Sequence, residues 1–300
     1  MSFASQVKAE LLQIENEGCC EASMARGLLL FGREFSSYAI SFLTENREIA
    51  DAYANAVRLF SGETPEIRVS DSGNRKIVIE DRDQIDAIFA EALPEGLNAK
   101  KQITIGKIEK ECCRLSFIRG AFLAGGTVTD PDKEYHLEFT CPSRGIALEL
   151  QEMIAGFEIG MKLTRRGGAN VLYLKKSGEI EDLLLRMGAS ETAMMLMGSK
   201  MYKDVRNTVN RRVNFENANI ARSIAAAGKQ YDAIRVIVAH GGISSLPPEL
   251  QELARLRLEN PDASTGEIRR MLSDSLTISG VNHRFQKLIR IAEELQNGDR

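Results

Sequence analysis

The chain has no Trp and only 6% aromatic residues, so a β-sandwich organised on large rings is a poor fit. No stretch reaches the ~18–20 consecutive apolar residues that span a bilayer. The opening Met1-Ser2-Phe3-Ala4-Ser5-Gln6 lacks a basic segment followed by an apolar one, so no secretory signal is expected. Walker-type phosphate loops, dinucleotide fingerprints and nucleophile elbows are also missing. The five cysteines contain no Cys-x-x-Cys spacing, and their odd number argues against a disulfide framework. These absences predict a soluble, cytoplasmic protein. What is present is globular in character: 43% hydrophobic and 27% charged residues over 300 positions, a length that favours two domains.

Charge is distributed unevenly beneath a net −3. Residues 196–300 hold 16 Lys and Arg against 12 Asp and Glu, whereas residues 1–195 hold 23 against 30. Within 200–235 the ratio is 8 to 3. A basic segment on an acidic body hints at a polyanion partner, although many solvated helices are equally basic.

The cysteines expose a repeat. CCEASMARGLLLFG, from Cys19 to Gly32, and CCRLSFIRGAFLAG, from Cys112 to Gly125, agree at seven of fourteen positions with an offset of 93. The shared residues include Arg26/Arg119, Gly27/Gly120 and Gly32/Gly125. Each copy is followed by a period-two strand pattern, with Ile40 and Phe42 or Leu137 and Phe139 on one face. Helical stretches at 47–60 and 144–156 come next, then strand candidates at 67–69 with 76–80 and at 162–165 with 171–175. Turn residues Asp71–Asn74 and Gly167–Asn170 join those strands. Helices at 82–92 and 178–188 close the halves. The pattern is α-β-β-α-β-β-α twice, a duplicated α+β unit with pseudo-twofold symmetry. Glycine costs ~1 kcal/mol in a helix interior relative to alanine, so matching glycines in the Arg-Gly helices predict a close helix crossing.

Phe117-Ile-Arg-Gly-Ala-Phe-Leu-Ala-Gly-Gly-Thr-Val128 resembles the LAGLIDADG motif of homing endonucleases, which duplicate this unit. That resemblance implies paired motif helices at the pseudo-twofold axis, an acidic metal ligand from each, and two sheets forming a saddle on DNA. Here the acidic positions fall on Gly32 and Gly125, which offer no ligand. Glu34 lies nearby, but its counterpart is Thr127. The whole chain resembles the WhiA family of bacterial sporulation and cell-division regulators. Met1–Ser5, Cys19-Cys20, Cys112-Cys113, Arg119–Gly126, Tyr135–Glu138, Val205–Arg211 and Ser279–Arg284 carry the likeness. It implies a degenerate LAGLIDADG domain joined to a C-terminal helix-turn-helix, acting in transcription or chromosome-linked division.

The last third supports that organisation independently. Pro247-Pro248 opens a helix over 249–258 and Asn260-Pro261 ends it. Ser264-Thr-Gly-Glu267 reads as a capping box before a short helix with Ile268, Met271 and Leu272 apolar. Residues 274–278 form the turn, and Ser279 is the expected cap of a final helix to about Gln296. In that helix Val281, Phe285, Leu288, Ala292 and Leu295 make a core stripe, opposite Asn282, His283, Gln286, Lys287 and Arg290, with Arg284 flanking. Taken alone, this is equally a helix-turn-helix or a three-helix bundle with a solvated face. The basic segment and the family resemblance favour DNA binding.

The expected organisation is therefore α+β: a LAGLIDADG-like domain at 1–195 (repeats about 19–95 and 112–190), a basic helical connector at 196–243, and an all-α helix-turn-helix domain at 244–300. DNA contacts are expected from Ser279, Asn282, His283, Arg284, Lys287 and Arg290, and from Arg206, Arg211 and Arg212 in an Asn-rich stretch. That stretch serves either phosphate contact or a linker whose Asn residues cap helices. The expected function is sequence-specific transcription regulation in division, chromosome segregation and sporulation, on double-stranded DNA and associated with the nucleoid. Two rivals are an active metal-dependent endonuclease and a scaffold whose residues 1–195 dock another transcription or division protein. No catalytic residue, metal ligand or cofactor is assigned. The four paired cysteines would make a thiolate site if they met at the pseudo-twofold axis, but no Cys-x-x-Cys spacing supports one. His136 beside Glu138 reads as a satisfied, half-buried histidine.

Overall fold

A computed structural model describes residues 2–16, 18–93 and 103–298. A leading helix α1 (Phe3–Leu12) precedes the first repeat: α2 (Cys19–Leu30), β1 (Glu34–Phe35), β2 (Ile40–Thr44), α3 (Arg47–Ser61), β3 (Arg68–Val69), β4 (Arg75–Ile79) and α4 (Arg82–Ala92). The second repeat is α5 (Glu111–Gly125), β5 (Gly126–Val128), β6 (Leu137–Cys141), α6 (Arg144–Ala155), β7 (Lys162–Arg166), β8 (Ala169–Leu174) and α7 (Ser177–Met187). The end of the first repeat, expected near residue 95, lies outside the described residues. A long helix α8 (Ser190–Gly241) leads through a 3₁₀ turn (Ile243–Ser245) to α9 (Pro248–Glu259), α10 (Thr265–Met271) and α11 (Ile278–Gly298). The chain divides into two compact units between Lys203 and Asp204, a point inside α8.

Each repeat makes one antiparallel four-stranded sheet, in the orders β1-β2-β4-β3 and β5-β6-β8-β7. The registers correspond: Ile40 pairs with Ile79 in one, and Leu137 with Leu174 in the other. Alternation buries Ile40 and Phe42 in the first sheet and Leu137 and Phe139 in the second, as their spacing predicts. The β7–β8 hairpin turns on Gly167-Gly168, both at positive φ, which suits a two-residue loop. Asn46, Asp81 and Ser143 cap α3, α4 and α6 with their side chains.

The two repeats join through α2 and α5 at their glycines. A Cβ placed on Gly27 would overlap the Phe117 carbonyl and lie 2.8 Å from the Ala121 nitrogen. One on Gly120 would overlap the Met24 carbonyl and lie 2.9 Å from the Leu28 nitrogen. The contact is reciprocal and made backbone to backbone. The duplicated arginines brace its ends: Arg119 Nε donates to the Met187 carbonyl at 2.9 Å and Nη1 to Asn16 Oδ1 at 2.7 Å, while Arg26 Nη2 donates to the Ile105 carbonyl at 2.6 Å. Around this axis lies one core, including Phe31, Phe117, Phe122 and Phe139. It extends to Ala189, Ala193 and Leu196 at the start of α8.

Glu10 of α1 caps α8 from across the first unit. Its carboxylate accepts from the Glu191 and Thr192 amides at 2.6 and 3.0 Å and from the Thr192 hydroxyl at 2.8 Å. An anion at a helix N-terminus satisfies free N–H groups and the helix dipole together. Beyond that, α8 runs without interruption through the Asn-rich stretch. Asn207, Asn210, Asn214 and Asn217 are therefore helix-interior residues, which excludes the alternative in which they cap separate helices.

In the second unit, Ile234 and Ile237 of α8 join a core with Leu250, Leu253, Ile268, Val281, Phe285 and Leu288. The capping box forms as expected, with Ser264 Oγ accepting from the Glu267 amide and Glu267 accepting from the Ser264 amide. Met271 is exposed, while Ile268 and Leu272 are buried. Arg257 is fully buried: Nη1 donates to the carbonyls of Asn260, Pro261 and Ala263, and the guanidinium lies 5.1 Å from the Phe285 ring. It gathers the chain where α9 ends. Glu252 holds the turn after α10 by accepting from the Ser273 hydroxyl at 2.7 Å and amide at 2.9 Å. The cap of α11 is Thr277, whose Oγ1 accepts from the Gly280 amide at 3.1 Å, not Ser279. The helix begins earlier than its hydrophobic stripe indicates.

Gly120→Ala should lose about 3 kcal/mol in chemical denaturation, because the new methyl meets backbone that cannot yield. Gly198→Ala, in α8 with open space around it, should instead gain about 0.4–1 kcal/mol. The Ser273 hydroxyl and amide hold the Glu252 carboxyl below its ordinary 4.5. Its stabilisation is thus complete above that value and fades as pH falls through the lower folded value. In thermal melts, the gap between wild type and Glu252→Gln should close with acidification across that window.

Candidate nucleic-acid interface

At about 100° per residue, Ser279, Asn282, His283, Gln286, Lys287 and Arg290 span an arc of about 140° on α11. All six are exposed. The buried Val281, Phe285, Leu288 and Ala292 lie opposite. The arc holds two amides, an imidazole, a hydroxyl and two cations, donors and acceptors suited to base edges and phosphates. With Thr277 as cap, Ser279 sits in the first turn of α11, where backbone N–H groups favour an anion.

Arg284 is not part of this arc. It projects about 60° beyond Lys287, toward the core side. Its Nη1 donates to the Glu249 carbonyl at 3.0 Å and its Nη2 to Asp274 Oδ2 at 3.1 Å. The side chain is 18% exposed. Reading a base would require breaking both bonds, so the structure gives Arg284 the work of tying α11 to α9 and to the turn. Arg206, Arg211 and Arg212 are all exposed on α8. They lie at about 0°, 140° and 240° around the helix and share no face. Arg212 also pairs with Glu216 at 3.0 Å.

In the first unit, the ends of the two motif helices meet at a shallow cavity of about 440 Å³, bordered by Gly32, Arg33, Gly125, Thr127 and Thr140. Among its described lining residues there is no carboxylate. A Cβ at Gly32 would lie 2.8 Å from Tyr53 Oη, and one at Gly125 would lie 2.8 Å from the Thr140 carbonyl. Tyr53 is fully buried and stacked on Phe42 at 4.3 Å, and burial raises its hydroxyl pKa. The space for an acidic side chain is thus closed by packing as well as lost from the sequence. Glu34 is exposed and accepts from Ser36 Oγ at 3.3 Å.

The charge of this unit is also sorted by element. The strands carry Arg68, Arg75, Lys76, Lys162, Arg165 and Arg166 against Glu34 and Glu138. The acidic balance of residues 1–195 therefore does not reside on the sheets. His136 Nε2 lies 2.8 Å from Glu138 Oε2, which also takes Arg166 Nη1 at 3.2 Å, and the imidazole stacks on Tyr173. It is a satisfied histidine, as expected, although it stands one residue before β6 rather than on the strand. The paired cysteines, in contrast, do meet: the Sγ atoms of Cys19, Cys20, Cys112 and Cys113 all lie within 4.8 Å of one another. Sequence spacing misses this grouping because each repeat contributes only half of it.

Two family models match the chain: the WhiA LAGLIDADG-like domain over residues 114–206 and the WhiA C-terminal HTH domain over residues 209–292. A protein of Ruminiclostridium cellulolyticum named "Probable cell division protein WhiA" is 35% identical across 100% of this chain and 99% of its own length. One of the same name from Carboxydothermus hydrogenoformans is 35% identical across 99% of each. The crystal structure of full-length DUF199/WhiA from Thermatoga maritima aligns with 98% of this chain and 99% of its own, with a TM-score of 0.60 and 24% identity, a likeness of fold. No helix among the described residues is long and apolar enough to cross a membrane. With two domain models in the expected order and full-length relatives above 30% identity, the chain belongs to the WhiA family.

Proposed function

We propose that this chain is a sequence-specific DNA-binding transcription regulator of bacterial cell division and chromosome segregation, and of sporulation where the host forms spores. The observation that carries the reading is the exposed polar arc of α11, set opposite a fully buried Phe285 and held by the Thr277 cap. Recognition helices present N-terminal residues to the major groove, which places Ser279, Asn282 and His283 at base edges and Lys287 and Arg290 nearer phosphates. Gln286 is exposed on the same face, one turn after Asn282 and His283. The division name of its relatives supports the cellular setting, which is the cytoplasm, on the nucleoid.

The reading divides the chain into a LAGLIDADG-like body at 1–195, a basic helical connector at 196–243 and a reading head at 244–300. Arg206 and Arg211 would serve phosphates, but their different faces on α8 mean that they would not grip one stretch of backbone together. The body works without cleaving DNA. Its closed glycine positions leave divalent metal no carboxylate pair to bind. The basic strand residues weaken the case for a purely protein-docking body, because that case requires sheets that repel phosphates.

Purified protein should leave duplex DNA intact with Mg²⁺ or Mn²⁺; metal-dependent cleavage abolished by changing Glu34 would overturn the non-nuclease reading. For the reading head, Asn282→Ala should cost ~1–3 kcal/mol on the preferred site and relax one position in binding-site selection. Arg290→Ala should weaken all sequences alike and reduce the salt slope by ~0.9. Arg284→Ala should lower the melting temperature while leaving the preferred site unchanged. If folded Asn282→Ala and Gln286→Ala variants keep the parent's affinity and preference, α11 is not the reader.

A further inference from the structure

Cys19 and Cys20 open α2, and Cys112 and Cys113 lie in the first turn of α5. The glycine contact brings these helix starts together, so that the pseudo-twofold supplies the second pair of ligands that no local Cys-x-x-Cys motif provides. All four sulfurs lie within 4.8 Å of one another, and Cys112 Sγ is 4.0 Å from Cys113 Sγ. A tetrahedral tetrathiolate ion with bonds of about 2.3 Å places its sulfurs about 3.8 Å apart. The grouping is near that size before any ion draws it in. A multi-iron cluster inserts iron and sulfide between its cysteines and needs a wider ring. A soft set of four thiolates selects Zn²⁺ among common divalent ions.

The surroundings also suit a site of four thiolates and one dication, which carries two net negative charges. Two helix N-termini face it with their positive ends. Lys110 Nζ lies 3.8 Å from Cys19 Sγ, and the cavity onto which Cys19 and Cys113 open is lined by Arg26, Lys107 and Lys110 together with Glu91 and Glu109, of which Glu109 pairs with Lys107 at 2.9 Å. Cys19 and Cys112 are exposed, giving an ion a route in, whereas Cys113 is buried. Ser23 Oγ fixes the backbone behind the site by donating to the Cys113 carbonyl at 2.7 Å. Cys141, buried on β6, stands outside the group.

We propose that Cys19, Cys20, Cys112 and Cys113 bind one Zn²⁺ as a tetrathiolate site that clamps the two repeats together at the start of α2 and α5. Each ligand enters as a thiolate, and binding releases to solvent the protons of those still protonated. No electron is transferred. The site locks the helix pair at the end opposite Gly32 and Gly125, and its role is structural.

The test uses the full chain, purified under reducing conditions. Mass spectrometry of metals should find one zinc per chain, retained by Cys141→Ser and lost from Cys112→Ser. Cobalt replacement should give the thiolate charge-transfer and intense visible bands of a tetrahedral site. Wild-type protein supplies a second measurement that does not depend on how Cys112→Ser folds. Stripped of metal, its exposed Cys19 and Cys112 should alkylate at least ~10-fold faster than with one equivalent of Zn²⁺, while Cys141 is unchanged. Equal alkylation rates with and without Zn²⁺, a six-coordinate cobalt spectrum, or disulfides among the four cysteines in freshly reduced protein would overturn the proposal.

Discussion

The reciprocal approach of Gly27 and Gly120 is the constraint on which the first unit depends. A helix pair normally meets through side chains at 8–10 Å, whereas here each glycine admits the other helix's backbone. That proximity fixes several other features. It aligns the starts of α2 and α5 so that four cysteine sulfurs converge. It sets the helix ends side by side at the cavity that Gly32 and Gly125 border. It also surrounds the axis with Phe31 and Phe117, whose rings meet edge to face at 6.2 Å.

The same axis separates what the unit retains from what it lacks. A homing endonuclease needs small residues for the crossing and a carboxylate at the end of each motif helix. This chain keeps the first requirement and replaces the second with glycines, whose space is taken by Tyr53 and the Thr140 carbonyl. Reintroducing one acid would therefore not rebuild a metal pair, because packing has closed around the positions. The basic strand residues are independent of that loss. They leave the sheets electrostatically compatible with a polyanion even though residues 1–195 are acidic in balance.

In the second unit, a few polar contacts hold short helices that burial alone would leave poorly oriented. α10 has only seven residues, too short to persist on propensity. The Ser264–Glu267 box, the Glu252–Ser273 bonds and the Arg257 carbonyl contacts fix its ends, and Arg284 fastens α11 to both α9 and the turn. Ser279, Asn282, His283, Gln286, Lys287 and Arg290 of α11 are left exposed on one arc. An arginine in the sequence of a recognition helix is thus not by its identity a base reader; its neighbours decide.

The duplication, the α-β-β-α-β-β-α order, the core stripe of α11 and the capping box were all legible in the sequence, because each depends on local spacing of period two, 3.6 or three. Strand β1, two residues long, carries no period and is defined only by its pairing with β2. The continuity of α8 through the Asn-rich stretch was hidden because asparagine favours caps in isolation, and local propensity does not foresee a helix anchored at one end by Glu10 and at the other by Ile234 and Ile237. The Thr277 cap, the engagement of Arg284 and the meeting of four cysteines depend on residues far apart in the chain. Sequence by itself determined which faces are apolar and, for the helices of the two repeats and for α9 to α11, where they begin and end to within a turn; it did not mark α1 or the start of α8. Only the tertiary structure decided which polar side chains are consumed in holding the fold and which remain for a ligand, because that depends on contacts between elements, to which local periodicity is blind.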